Sequence, residues 1–178
     1  MKEIEVKILD IDRQVVESRL KELGARLTFE DEISALFFDS PGGLIAGARN
    51  LLRLRREGSR VKLTFKEYVP SDTVKVRQEY ETEVADFKAM QAILQHLGLH
   101  PVLSVRKHRT TYDLPGARFS FDRHVGKLDY IPEFLEIEAD SAEALARSVA
   151  LLGFATRDCR AWGLPELVAH YTSPVRDH

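Results

Sequence analysis

The chain has 178 residues, 44% hydrophobic and 30% charged, and its 26 Lys and Arg nearly cancel its 28 Asp and Glu to leave a net charge of -2. That length supports a single domain spanning 1–178 with its own core. The charge balance argues against a general nucleic-acid binder, which needs a basic excess. The lone Cys159 cannot form an internal disulfide, no positively charged leader runs into an apolar stretch, and no apolar run reaches bilayer length. A cytoplasmic protein with no membrane partner is therefore expected.

The first residues, Lys2-Glu3-Ile4-Glu5-Val6-Lys7-Ile8, read as a strand with Glu3, Glu5 and Lys7 on one face and Ile4, Val6 and Ile8 on the other. Asp10 or Asp12 then caps a helix in which Val15, Val16, Leu20 and Leu23 recur at helical spacing up to Gly24. The pattern of acidic strand, cap, amphipathic helix and Leu-Gly occurs twice more. It runs from Glu81 through Asp86 to Gly98, and from Glu136 through Ser141 to Gly153.

Further alternating segments are Leu51–Arg55, Val61–Lys66, Val105–Tyr112 and Phe119–Asp122. Loops are placed at 39–43, at 67–73, at 114–116 and at 126–132. The total is roughly eight strands and three or four helices in one α+β domain.

Alternation sorts the strands into two sets. One holds Glu3, Glu5, Lys7, Arg53, Arg55, Lys62, Thr64, Lys66, Arg77, Glu79, Glu81, Lys107, Arg109, Asp122, Glu136 and Glu138; the opposite set is apolar. An open antiparallel sheet with a solvated, salt-bridged face would explain this pattern. A sheet of about eight strands can also curl into a closed or nearly closed antiparallel β-barrel with its helices outside. The charged face then lines a tunnel, where each desolvated ion needs a partner. The cationic middle strands would need an anion, and acidic pairs on the first and last strands would need a hard cation such as Mg2+ or Mn2+. Mixed Arg and Lys suit phosphate oxygens. A metal-bound triphosphate meets both demands.

With those residues in view, the sequence resembles the CYTH superfamily, the triphosphate tunnel metalloenzymes. The resemblance is carried by Glu3-x-Glu5-x-Lys7, Arg53-Leu54-Arg55, Lys62-Leu63-Thr64-Phe65-Lys66, Arg77-Gln78-Glu79, Arg106-Lys107-His108-Arg109, Asp122 and Phe134-Leu135-Glu136-Ile137-Glu138. It covers essentially the whole chain and is nearest the class IV adenylyl cyclase-like branch. By position it implies that Glu3, Glu5, Glu136 and Glu138 hold divalent metal, helped by Asp122 and by Glu79 or Glu81. It likewise implies that Lys7, Arg53, Arg55, Lys62, Lys66, Arg77, Lys107 and Arg109 grip phosphate, with Glu3, Glu5, Lys7 and Asp122 as the catalytic set.

The 159–167 segment departs from the family's usual Ser-Tyr ending, which leaves its part in the tunnel open. His124 reads as an exposed or rim residue and Trp162 as a packing anchor. Three readings stand: a metal-dependent hydrolase of tripolyphosphate or an organic triphosphate, a cyclase forming cyclic AMP and diphosphate from ATP, and a non-catalytic polyphosphate binder. A small-molecule triphosphate is the expected partner, and a homodimer would cover exposed barrel wall.

Overall fold

The computed structural model describes residues 2–70 and 75–172, with the side chains of Lys2, Glu3, Lys75 and Val76 outside that description. Its strands are β1 (Lys2–Ile8), β2 (Arg26–Asp39), β3 (Leu51–Glu57), β4 (Arg60–Val69), β5 (Lys75–Glu83), β6 (His100–Leu114), β7 (Ala117–Val125), β8 (Phe134–Ala139) and the two-residue β9 (Cys159–Arg160). The helices are α1 (Arg13–Glu22), the one-turn α2 (Leu44–Gly47), α3 (Phe87–His96), α4 (Ala142–Leu151) and α5 (Leu164–Thr172).

The repeated strand-cap-helix pattern is realised at each of its copies. Asp12 accepts from the backbone N–H groups of Gln14 and Val15, Asp86 from Ala89 and Ser141 from Ala144, each satisfying donors that the first helical turn leaves open. At the far ends, Gly24, Gly98 and Gly153 take φ of 78°, 84° and 83°, the left-handed region that glycine enters without steric cost. The N–H of Ala25, Leu99 and Phe154 then returns to the carbonyl of Leu20, Leu94 and Val149. These bonds close each helix and turn the chain back toward the sheet.

All neighbouring strands are antiparallel, in the order β5-β4-β3-β2-β6-β7-β8-β1, and β1 pairs with β5 to bring the two ends together. That seam spans Lys2–Gln78 to Glu5–Lys75, and the remainder of the same β1 edge is taken by β9 at Lys7–Arg160 and Ile8–Cys159. The result is a nearly closed barrel with helices outside, as expected. No described helix is long and apolar enough to cross a membrane.

The core lies outside the barrel wall. Val6, Ile8, Phe119, Phe121, Leu135 and Ile137 pack against Val16 and Leu20 of α1 and Leu145 and Val149 of α4. Leu52, Leu54 and Val61 pack with Leu94 of α3. With these alternate residues turned out to the helices, their neighbours on each strand face inward.

Two expectations are corrected. Glu67–Val69 belongs to β4 rather than to a loop, while 71–74 of that expected loop lie outside the described residues. The C-terminal stretch also adds β9 and α5. Leu167 of α5 is buried with Ile131 and Phe134, and Trp162 packs against this cluster as the anchor expected of it.

Candidate functional site: a charged tunnel

The inward faces enclose a cavity of about 1300 Å3, lined by Glu5, Lys7, Arg53, Arg55, Lys62, Lys66, Arg77, Glu79, Glu81, Lys107, Arg109, Asp122, Glu136 and Glu138. Apart from Thr64, which is fully buried and donates to Glu81, and Glu3, the residues sorted onto one face by alternation thus reach one space. Glu3 pairs with Arg77 through the β1–β5 seam, but its side chain lies outside the described residues.

Register brings the acidic ends together, since β1 and β8 place Glu5 opposite Glu138 and Lys7 opposite Glu136. Glu5, Glu136 and Glu138 each offer a carboxylate oxygen, and these oxygens lie within 4.8 Å of one another. Burial pushes Glu138 up to about 7, and the Glu136 and Glu5 charges push the same way against Arg109. Crowded buried carboxylates of this kind are a donor set suited to a hard divalent cation, so the residues fit such an ion.

Beside them runs a dense ionic network. Lys7 Nζ donates to Glu136 Oε2 at 2.6 Å and lies 3.6 Å from Glu5 Oε1. Arg109 reaches Asp122 through Nε at 2.6 Å and Nη2 at 2.5 Å, and also reaches Glu136 at 2.7 Å. Lys107 adds a 2.5 Å contact to Asp122. Burial alone would raise Asp122 and Glu136, but Arg109 and Lys107 hold Asp122 down and Lys7 with Arg109 holds Glu136 well below the usual carboxylate range. Burial and the neighbouring Arg109 charge lower Lys107 to about 8.

Asp122 is fully buried with its oxygens engaged by cations, outside the close group of Glu5, Glu136 and Glu138. Glu79 and Glu81 also stand apart from that group. Glu79 contacts Lys66, while Glu81 lies 2.9 Å from Lys62 and accepts from Thr64 Oγ1 at 2.8 Å. Arg77 donates to the Arg49 carbonyl, and both guanidinium groups sit over the Tyr68 ring.

His124 corrects an expectation. It is 6% exposed and lines the cavity, because β7 alternates Asp122 and His124 onto the inner face. Burial, with Lys107 next, lowers it to about 4. The Arg106 backbone pulls weakly the other way, yet Nδ1 makes no hydrogen bond of acceptable geometry among the described residues.

Sequence reasoning also omitted Glu57, which contacts Arg55 at 2.9 Å and continues the Arg53, Arg55 alternation by one step. Residues Ala161 and Gly163–Leu167 line the cavity too, so the C-terminal segment does take part in it.

A family model described as CYTH domain matches residues 1–151. A Methanocaldococcus jannaschii protein, provisionally named an adenylate cyclase, is 28% identical over 138 residues, covering 78% of this chain and 77% of that protein. A solved structure from Vibrio parahaemolyticus, also provisionally named an adenylate cyclase, superposes with a TM-score of 0.80 at 17% identity, over 94% of this chain and 97% of that one. A Hippeastrum protein, provisionally named an adenylyl cyclase, superposes with a TM-score of 0.62 at 18% identity, over 99% of both chains. Its description reports a dominant triphosphatase activity.

Proposed function

The chain belongs to the CYTH domain family, and on that premise we propose that it is a divalent-metal-dependent enzyme that hydrolyses a triphosphate bound in its tunnel. One observation carries the reading: carboxylate oxygens of Glu5, Glu136 and Glu138 converge within 4.8 Å in a cavity that Arg53, Arg55, Lys62, Lys66 and Lys107 also line. Carboxylates would hold the metal and cations the phosphates. The triphosphatase activity described for the Hippeastrum protein supports hydrolysis.

Arg53, Arg55, Lys62, Lys66 and Lys107 line the cavity in positions to bind phosphate oxygens, Arg through its planar fork and Lys as a point charge. Arg109 and Lys7 keep Glu136 ionised and oriented. A divalent ion bound by Glu5, Glu136 and Glu138 would neutralise phosphate charge and lower the pKa of a coordinated water. The surrounding cations stabilise charge that spreads over the transferring phosphoryl group, and their positions are fixed before the reaction. Glu3 is placed beside Glu5 on β1 by sequence and joins this proposal as a metal-binding carboxylate. Asp122 serves as the buried counter-ion that orients Arg109 and Lys107.

A second reading, cyclisation of ATP by its ribose 3′ hydroxyl, is supported by the name of the Methanocaldococcus relative. Phosphorus NMR and chromatography after incubation with Mg2+ or Mn2+ and either tripolyphosphate or ATP separate the two. Orthophosphate is the expected product. Cyclic AMP with diphosphate would replace hydrolysis by cyclisation, and an unchanged substrate would leave a binding protein.

A further inference from the structure

Helices α1, α3 and α4 each end on a glycine in the left-handed region, and the one-turn α2 ends on the same backbone path with Arg49 in that place. Arg49 has a φ of 59°. Its N–H returns to the Ala46 carbonyl at 2.8 Å, and the next N–H, that of Asn50, returns to the Ile45 carbonyl at 2.9 Å. The matching bonds of α1 run from Gly24 to Lys21 and from Ala25 to Leu20. Glycine enters this region without steric cost, whereas a Cβ meets the following carbonyl. The reason for an arginine here therefore lies in its side chain.

That side chain lies over the Tyr68 ring, with Cζ 3.8 Å from the centroid, and Arg77 Cζ stands 5.4 Å from the same ring. Arg77 also donates to the Arg49 carbonyl, and Asn50 Oδ1 accepts from the Tyr68 N–H at 2.9 Å. The segment before β3 is thus bound to both β4 and β5. Arg49, Asn50, Tyr68 and Arg77 all line the cavity, and Arg49 is exposed. Because β3 begins and β4 ends here, the group forms one mouth of the tunnel.

The deeper cations are already matched. Lys7 meets Glu136, Arg55 meets Glu57, Lys62 meets Glu81, and Lys107 and Arg109 meet Asp122. Arg49 has no carboxylate partner among the described residues. Two guanidinium groups gathered on one ring repel each other, and an anion that bridges them removes the repulsion. Their planar forks match phosphate oxygens.

We propose that Arg49 is a substrate-binding residue, which with Arg77 forms an anion-capture pair at this mouth and takes a phosphate group at one end of the chain. The inference rests on the proposed triphosphate site and adds to it a residue and a point of entry. An exposed charge at the mouth attracts the phosphate chain before the inner ion pairs have to open.

Calorimetric titration with tripolyphosphate, in EDTA and in Mg2+, compares wild type, Arg49→Gly and Arg60→Ala. Arg49→Gly puts glycine where the backbone favours it, so its Tm without ligand should equal or exceed that of wild type. Its affinity for tripolyphosphate should fall at least about tenfold. Arg60 is the control, since it lines the cavity at the opposite end of the β3–β4 pair and lies 3.2 Å from Glu83. Arg60→Ala removes the same charge from an exposed, paired residue and should change affinity by less than about twofold. Unchanged affinity in Arg49→Gly, or an equal loss in both variants, would overturn the capture pair. A lower Tm with unchanged affinity would assign Arg49 to the fold and overturn it as well. Absence of binding by the wild type in either condition would overturn the triphosphate reading and the capture pair with it. The tenfold loss in a protein that releases no phosphate would sustain the pair and overturn only hydrolysis.

Discussion

Arg109 holds two buried carboxylates at once, with a forked contact to Asp122 and a further bond to Glu136. Removing it would leave Asp122 to Lys107 and Glu136 to Lys7 alone, and breaking a buried pair costs roughly 3–5 kcal/mol. Arg109→Met should therefore lose stability on that scale in urea denaturation, and a loss below about 1 kcal/mol would show that the network carries little. Glu138 behaves in the opposite sense. Its neutral form is favoured by burial and by Glu136 and Glu5. Glu138→Gln should raise Tm in EDTA and abolish the rise in Tm that Mg2+ gives the wild type. A variant that retained the Mg2+ effect would remove Glu138 from the metal set.

At the level of elements, the copies of the strand-cap-helix pattern show why so much was legible beforehand. Asp12, Asp86 and Ser141 are short polar side chains placed directly before helical spacing, and each one caps. Replacing Asp86 by Ala removes the acceptor for the Ala89 N–H and should lower the urea midpoint of unfolding. By contrast, β2 could not be traced as a wall element from its sequence. Its inner residues Ile33, Ala35 and Phe37 and its outer residues Leu36 and Phe38 are both apolar, so period-two alternation vanishes where both faces are covered. His124 was misplaced for a related reason. A single histidine has no spacing signal, and only the inward turn of Asp122 two residues earlier fixes its face.

Helix α1 is tied to the barrel by Glu17, which accepts from the Tyr112 hydroxyl at 2.7 Å and lies 2.7 Å from Lys21. Hydrogen bonds from Lys21 and Tyr112 hold its carboxyl at about 2, below the ordinary 4.5. A lowered folded-state value means stability that is full above about 4.5 and lost as pH falls toward about 2. Glu17→Gln should thus be less stable than wild type by about 1 kcal/mol at neutral pH, with the gap closing through that acidic window. A gap that persisted undiminished at the acid end would show that packing, not charge, accounts for it.

For the whole molecule, barrel closure turns a charged sheet face into a site. The β1–β5 seam and the β1–β8 register together bring the first and penultimate strands side by side, so acidic residues more than 130 positions apart in sequence, Glu5 and Glu138 among them, converge. Alternation alone identified which residues share that face, but it could not separate a solvated sheet from a tunnel. Closure depends on strand twist and stagger, which single strands do not encode. The same limit hid the sorting of carboxylates. Glu79, Glu81 and Asp122 share the charged face as expected helpers of Glu5 and Glu136, and the folded register sets them beside Lys66, Lys62 and Arg109.

The central claim is that this tunnel turns over a triphosphate through metal held by the converged carboxylates. The measurement that addresses it most directly is phosphate release from ATP and tripolyphosphate in Mg2+ and in EDTA, with wild type and Glu5→Gln side by side. Metal-dependent release by the wild type, falling by at least about 100-fold in Glu5→Gln and to background in EDTA, is the predicted result. Release that persisted in EDTA, or that Glu5→Gln left at the wild-type rate, would contradict it.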